Sequence, residues 1–412
     1  MQVRTIKETE ILATMKLSSI CFDYPYENKG KTEEELLKEV LANPDSKAYA
    51  YWEKQLAVFD DNEDFMACMA VVPFQFYFDG GAYTGNGIGN VCTYPHHRKK
   101  GAIRAMFQKM LTDAYAENQM FSYLYPFSES FYGKFGYQRM GNSKRYTFKL
   151  QGIPDFSYSG KFQLLVEGNK ELFEKFQAAY AAFASTCNMM VKRDSHDWDN
   201  VRKAKAHINN QYAYLYTDEN GEPAGYIVFQ RAGQTLNCRE LVFRDYDTLK
   251  AIFGFMKGYA SDYQDIKFHA PAALHLEEFC KDFCAYQPKI EQAMNGMIRV
   301  IQVEQALKNA NYRGSGTVKI QIIEDSYIPQ NNGLFSVTFQ ENKATEVVHL
   351  CEEQTEEFDI CMPISVFSAA IVGNYSMEDF AWIEKVTVPN LEKVEILQKV
   401  FYRKKSFINN FF

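Results

Sequence analysis

Residues Tyr94–Phe107 read YPHHRKKGAIRAMF, six potentially cationic side chains gathered around one glycine. The stretch then turns apolar in a helical rhythm. Ile103, Met106, Phe107, Met110 and Leu111 recur at i, i+3, i+4, i+7 and i+8, one stripe of an amphipathic helix. Val91-Cys92-Thr93-Tyr94 enters the turn as a strand. A helix start carries unpaired N–H groups and roughly half an elementary positive charge, so it is a ready anion site. Gly101 removes the side chain that would keep a phosphate from the backbone. Arg98, Lys99, Lys100 and Arg104 add positive side chains. The N–H groups of Lys99, Lys100, Gly101, Ala102 and Ile103 are then placed to wrap a pyrophosphate. Charge runs are usually solvated turns, but strand, glycine and amphipathic helix in this order favour a ligand. Neither G-x-x-x-x-G-K-[ST] nor G-x-G-x-x-G is present here, which argues against nucleoside triphosphates and dinucleotides.

Around this basic turn the chain is acidic overall, with a formal charge of −7 over 412 residues. That balance argues against a general nucleic-acid binder and suits a cationic partner or simple solubility. The length exceeds one ordinary core, and about two or three domains are expected. A hydrophobic share of 46% with 33 Phe and 27 Tyr favours several packed sheets over coiled coils. Nine scattered cysteines with no secretion signal ahead of them imply a reducing, cytoplasmic setting. Cys280 and Cys284 lie one helical turn apart near His275, but nothing completes a metal set, so no metal is expected. No apolar run reaches the roughly 18 residues of a membrane span.

Coarse patterning divides the chain in three. In the first part, Ile11, Leu12, Met15 and Phe22 suggest a helix, and Thr32 to Glu35 opens another as a capping box. Phe65 to Phe78 reads as a strand interrupted by Pro73. Asp79-Gly80-Gly81 is a turn, and Met120 to Tyr125 a further strand. In the second part, Tyr212 to Tyr216 and Tyr226 to Phe229 flank an Asp218-Glu219-Asn220-Gly221 turn as a hairpin. A strand near Leu241, a helix over Leu249 to Met256 and a strand at Ile266 to His269 repeat the first rhythm without the basic turn. In the third, Met297 to Ile301, Val318 to Ile322, Leu334 to Phe339, Ala344 to Leu350 and Phe358 to Cys361 suggest a small antiparallel sheet closed by short helices.

Arg98-Lys99-Lys100-Gly101-Ala102 resembles the acetyl-CoA motif R-x-x-G-x-[GA] of GNAT N-acetyltransferases, with Ile103 at the last position. Pro95 to Met106 as a whole, and Phe131-Tyr132-Gly133-Lys134-Phe135-Gly136-Tyr137, resemble the Eis-like (enhanced intracellular survival) branch. Asp359 to Phe367 resembles that family's sterol-carrier-like domain. The resemblance implies an α+β chain of tandem GNAT-like domains, the second lacking the acetyl-CoA motif, followed by a sterol-carrier-protein-like domain. The expected bounds are 1–150, 151–290 and 291–412, with the C-terminus returning to the active site.

It further implies an acetyl-CoA-dependent N-acetyltransferase, without metal, in a homo-oligomer. The acceptor would be a small cationic amine such as an aminoglycoside or polyamine, or a lysine side chain. A lysine-like amine has a pKa near ~10.4, so roughly one molecule in a few thousand is neutral at pH 7 and a base is required. By resemblance, Tyr132 is the general acid toward the CoA sulfur and the carboxylate of Phe412 the general base. Val91, Cys92 and Thr93 offer backbone groups to the pantetheine arm. Ser128 and Glu129 resemble the family's pair at the cofactor edge. Cys92 also raises the alternative of an acyl-cysteine intermediate, ranked below direct attack. Asp23 and Trp52 are candidate acceptor contacts, though Asp23 could equally lie on the surface. Two other functions stay open: an apolar-ligand carrier using the third domain, and a peptide- or protein-acetylating regulator.

Overall fold

The structure is a computed structural model and describes residues 1–28, 30–43, 47–140, 143–294, 296–350 and 357–410. The chain begins with β1 (Gln2–Thr5), α1 (Ile11–Phe22), α2 (Glu33–Ala42) and α3 (Lys47–Ala50). It continues through β2 (Leu56–Phe59), β3 (Phe65–Phe78), β4 (Gly81–Thr93), α4 (Ala102–Ala116), β5 (Phe121–Leu124), α5 (Glu129–Gly133) and β6 (Gln138–Arg139). The capping box at Thr32 forms as its sequence requires. Thr32 Oγ1 accepts the Glu35 N–H at 3.3 Å, and the Glu35 carboxylate accepts the Thr32 N–H at 2.8 Å. Pro73 does not interrupt β3, contrary to the sequence expectation. β2 pairs only with Phe65–Met69, and the segment Met189–Lys192 flanks β3 only from Gln75 onward. Pro73 therefore stands where one side of the strand has no neighbour needing its missing N–H, while β4 pairs on the other side.

Next come β7 (Ser143–Lys149), β8 (Lys161–Leu164), α6 (Lys170–Ala184), α7 (Asp199–Arg202), α8 (Ala206–Asn209), β9 (Gln211–Thr217) and β10 (Pro223–Ala232). Then follow β11 (Thr235–Phe243), α9 (Tyr246–Lys257), β12 (Asp265–Pro271), α10 (Phe283–Tyr286) and β13 (Lys289–Ala293). The last part holds β14 (Met297–Val300), α11 (Val303–Asn309), β15 (Gly316–Ile323), β16 (Gly333–Gln340), β17 (Lys343–Leu350), β18 (Ile360–Pro363), α12 (Ile364–Ile371) and α13 (Val394–Val400).

Three sheets result, ordered β1-β2-β3-β4-β5-β14-β6, β13-β7-β12-β11-β10-β9-β8 and β17-β16-β15-β18. The two large sheets exchange a strand. β7, just after the first domain's elements, pairs with β12 and β13. β14 falls in the stretch expected to open the third domain, yet it pairs antiparallel with β5, Met297 opposite Leu124 through Val300 opposite Phe121. The third sheet is not wholly antiparallel as expected. β18 joins the far edge beside β15 instead of folding back on β17, so Ile320 to Ile323 and Ile360 to Pro363 run parallel.

Core packing follows the same interlocking. Val72, Phe74, Phe76, Phe78 and Phe121 of the first sheet share one apolar cluster with Ile320, Phe335, Val337, Phe367 and Ile371 of the third domain. The second domain has its own cluster around Phe176, Tyr180, Tyr226, Phe253 and Phe268. A fully enclosed charge pair lies in this seam. Arg299 on β14 and Asp325 are both buried, with Nη2 to Oδ1 at 2.6 Å. Gly136 makes room for it: its φ is +81°, and a Cβ there would overlap the Arg299 guanidinium. Among the described residues no helix is long and apolar enough to cross a membrane.

Candidate active site

The basic turn folds as its residues demand. Lys99 and Gly101 both adopt positive φ, +65° and +88°. Gly101 caps α4 in a left-handed conformation and supplies no side-chain cap. The first backbone bond into the helix runs from Ala105 N–H to Gly101 C=O, 3.0 Å. The N–H groups of Ala102, Ile103 and Arg104 therefore face out of the helix end. Space in front of it is open, with no heavy atom within 4 Å of where a Gly101 Cβ would stand. Arg98, Lys99, Lys100 and Arg104 are all exposed around that space. Lys100 is steadied by its ammonium, 3.2 Å from Nδ1 of buried His97. Burial, then the charges of His96 and Lys100, hold that imidazole below its usual range. Behind the turn, the stripe of Met106, Phe107, Met110 and Leu111 is buried against the sheet.

A cleft opens beside the turn because two parallel strands part. β4 and β5 pair from Gly85 opposite Phe121 to Ile88 opposite Leu124, and no further. Beyond Ile88, β4 bulges. Gly89 faces Ala70, the next pair is Cys92 with Cys68, and Asn90 has a φ of +50°. Bulges re-aim a strand next to many active sites. Past the bulge, Cys92 and Thr93 pair with Cys68 and Ala67 of β3, and none of Val91–Thr93 pairs with β5. Asn90 fixes the bulge, its Oδ1 taking hydrogen bonds from Ser18 Oγ and, at 3.2 Å, from Cys92 Sγ.

Cys92 lies between two other thiols, Cys68 across the sheet and Cys21 on α1, whose Sγ reaches Thr93 O at 3.5 Å. Hydrogen bonds from Cys68, then from Ser18 and Cys21, draw the Cys92 thiol below its ordinary range against the opposing effect of burial. No histidine or lysine is among its described partners, and only 1% of Cys92 is exposed. A buried thiol without a base is a poor acyl acceptor. Incubating the protein with acetyl-CoA and no amine should therefore leave its intact mass unchanged. A gain of one acetyl group that Cys92→Ala abolishes would restore the acyl-cysteine route.

Tyr132 stands on α5, across the cleft. Ser128 caps this short helix, accepting the Phe131 N–H at 3.4 Å, and Glu129 faces outward to Arg139 at 3.9 Å. Tyr132 is 4% exposed and pinned by aromatics, with Phe107 and Phe127 ring centres at 6.0 and 5.4 Å. Phe107 also stacks on Phe135 at 4.1 Å, so the helix that leaves the basic turn anchors the tyrosine segment as well. The Tyr132 hydroxyl has no hydrogen-bond partner among the described residues. Burial, with a smaller contribution from neighbouring Cys92, pushes the phenol well above its usual range.

Of the remaining candidates, Asp23 is exposed in a left-handed conformation (φ 54°) just past α1, two residues after the Cys21 that touches Thr93. Trp52 packs instead in a separate small cluster with Ile6, Ile11, Ala57 and Phe59. Phe412 lies outside the described residues. Two residues before it, Asn410 is described, and its carbonyl accepts the Tyr125 hydroxyl at 2.6 Å. Tyr125 directly follows β5, where the strands part. Neither Tyr125, read from the sequence only as the end of a strand, nor Asn410 belongs to a motif that would mark it as part of a site.

The second domain repeats the layout without the anion site. Its parallel pair, β11 with β12, also ends early, at Asn237 opposite Lys267. The helix that follows is capped by a carboxylate, Asp245 Oδ1 accepting the Thr248 N–H at 2.8 Å. An acidic cap occupies the place where a phosphate would need open N–H groups.

Comparison with known proteins agrees with this layout. Residues 2–140 and residues 189–300 match two acetyltransferase (GNAT) domain families, and residues 303–409 match a sterol carrier protein domain. By domain content the chain carries two acetyltransferase (GNAT) domains followed by a sterol carrier protein domain. Solved structures share the fold from end to end. A GCN5-related N-acetyltransferase from Anabaena variabilis has a TM-score of 0.83 at 17% identity, covering 100% of both chains. A conserved protein from Enterococcus faecalis has 0.82 at 20%, covering 100% of this chain and 99% of its own. Eis1 from Mycobacterium abscessus has 0.78 at 16%, covering 100% of both. Domain order and fold together make this chain Eis-like in architecture. No curated protein matches the sequence.

Proposed function

We propose that the chain transfers the acetyl group of acetyl-CoA directly to the amine of a small cationic acceptor. The observation that carries this reading is the convergence of three features: the glycine-led start of α4, the gap between β4 and β5, and Tyr132 across that gap. The diphosphate of the coenzyme would sit on the N–H groups of Lys99 to Ile103, with Arg98, Lys100 and Arg104 around it. The pantetheine arm would lie along Val91–Thr93, whose backbone supplies an N–H to the oxyanion. The amine nitrogen bonds to the acetyl carbon, and the carbon–sulfur bond breaks. The ammonium proton passes to the C-terminal carboxylate, and Tyr132 meets the departing sulfur with its O–H. An α-carboxylate is intrinsically a weak base, near ~3.5, and needs apolar surroundings to be raised. The aromatic side chains around Tyr125 and Tyr132 are of that kind.

An apolar-ligand carrier is the weaker reading. Val318, Ile320, Phe335, Val337, Phe339, Ile360 and Phe367 of the third domain are all at most 1% exposed and fill its interior with their own side chains. The test of the leading reading is thiol release from acetyl-CoA against a panel of aminoglycosides, polyamines and lysine peptides, alongside calorimetry with acetyl-CoA. No uptake of acetyl-CoA would sink it. Gly101→Val should weaken acetyl-CoA binding about tenfold or more, because a branched residue strains at this φ and closes the open helix end. An unchanged Kd would move the diphosphate away from this turn.

A further inference from the structure

The tail that reaches Tyr125 is gripped on its other side by the second domain. Asn188 donates its N–H to Lys405 O at 2.8 Å and accepts the Phe407 N–H at 2.9 Å. Phe407 and Ile408 are buried in the two large cores. Asn409 and Asn410 then meet an enclosed set of charges. Asn409 Nδ2 donates to Glu240 at 3.2 Å. Asn410 Oδ1 accepts from Arg193 Nε at 3.1 Å, and its Nδ2 donates to Asp197 at 3.3 Å.

Arg193 and Glu240 form an ion pair at 2.8 Å with side chains 3% and 0% exposed. The guanidinium lies 3.9 Å from the Tyr180 ring centre, and the Tyr226 hydroxyl donates to Glu240 at 2.9 Å. Asp197 is in turn paired at 2.7 Å with Lys47 of the first domain. A buried ion pair is weak support for stability, because apolar residues of like volume often do as well. What this one supplies is direction, a fixed donor and a fixed acceptor aimed at two consecutive tail residues. Glu240 also sits on β11 just past a bulge, where Arg239 is left unpaired opposite Val228 and Phe229 of β10, the stretch matching Val91–Thr93 of β4. The copy that lost its anion site carries, at the matching stretch of strand, a carboxylate turned to the tail.

We propose that Arg193 and Glu240 are positioning residues for acetyl transfer, and that the second acetyltransferase-like domain serves as the mount for the C-terminal tail. They seat Asn409 and Asn410 at the end of β5 where it parts from β4, with the Asn410 carbonyl on the Tyr125 hydroxyl, and two residues, roughly 7 Å of extended chain, follow Asn410 to the final carboxylate. This inference rests on the reading of that carboxylate as the base.

Four proteins test it: the parent, Asn410→Ala, a chain lacking Phe412, and the two changes combined. Asn410→Ala removes only a side-chain amide and leaves the buried ion pair whole. It should lower kcat about ten- to a hundredfold, as a slightly misplaced catalytic group does. Its KM for acetyl-CoA should stay within about twofold. In the chain lacking Phe412 the same substitution should change nothing further. If Asn410→Ala leaves kcat intact while loss of Phe412 abolishes turnover, the mount is wrong and the base stands. If the two losses multiply, Asn410 acts on the fold and the proposal is overturned. If loss of Phe412 leaves turnover intact, the base reading itself falls, and the mount with it.

Discussion

Tyr132→Phe should lower kcat about 10²–10³-fold, the range seen when one donor to a developing charge is removed. Acetyl-CoA affinity should hardly change, because Phe keeps the ring packing against Phe107 and Phe127. The size follows from the environment of the phenol. Burial raises Tyr132 well above its ordinary range, whereas a thiol resembling cysteine ionises near ~8.5. The phenol therefore holds its proton more tightly than the departing thiolate would take it. In the proposed reaction it would contribute a strong hydrogen bond to the sulfur as charge develops there. The sign for pH follows. The donor is the protonated form, and a raised pKa keeps it protonated to higher pH, so kcat should not fall on the alkaline side below about pH 10. A pH profile of kcat for both proteins checks this, and an alkaline limb near pH 8 that vanishes in Tyr132→Phe would contradict it. Unchanged turnover in Tyr132→Phe would remove the residue from the reaction.

The second large effect is on folding. Asp325→Ala should destabilise the protein by about 3–5 kcal/mol, because it strands the Arg299 charge in the interior. The carboxylate has other duties: it accepts the Ile328 N–H at 2.9 Å and the Asn331 side-chain amide at 2.9 Å. Replacing both partners, Arg299→Met with Asp325→Leu, should recover much of the loss, since the pair's net worth is small and the cost lies in breaking it. Urea unfolding of the three proteins measures both. A single-site loss below about 1 kcal/mol would mean that the pair behaves like an exposed one. Arg299 fits against Gly136, so loosening it should also loosen the segment that carries Tyr132.

The basic turn and its helix were legible because every signal agreed: strand, glycine at positive φ, and apolar stripe at helical spacing. The same rule covers α6, where Leu172, Phe176, Ala179, Tyr180 and Phe183 form a buried stripe capped by Asn169, although the sequence reading assigned no helix there. Pro73 misled because a proline ends a strand only where its N–H is wanted, and that depends on a neighbour far along the chain. The membership of β14 was hidden for the same reason: Met297 to Val300 are recognisably strand-like, but periodicity does not name a partner. Arg193 and Glu240 were illegible as a site. A charged residue in sequence reads as surface, and only the fold shows two of them buried against each other. The family resemblance implied that the C-terminus returns to the active site, but only the fold shows the route of the tail past Asn188, Glu240 and Tyr125.

The borrowed strand has a consequence for how the protein comes into being. β6 pairs with β14 alone among the described strands, and Tyr132 sits on the turn between β5 and β6. While the chain emerges from the ribosome, that turn has no return strand to close on until residue 300 has appeared, and the outer edge of β5 stays bare meanwhile. The segment that carries Tyr132 should therefore reach its final pairing only after the second domain has been made. Each large sheet thus depends on a strand from beyond its own stretch of chain, so cutting between the two acetyltransferase domains should leave both sheets short of a strand.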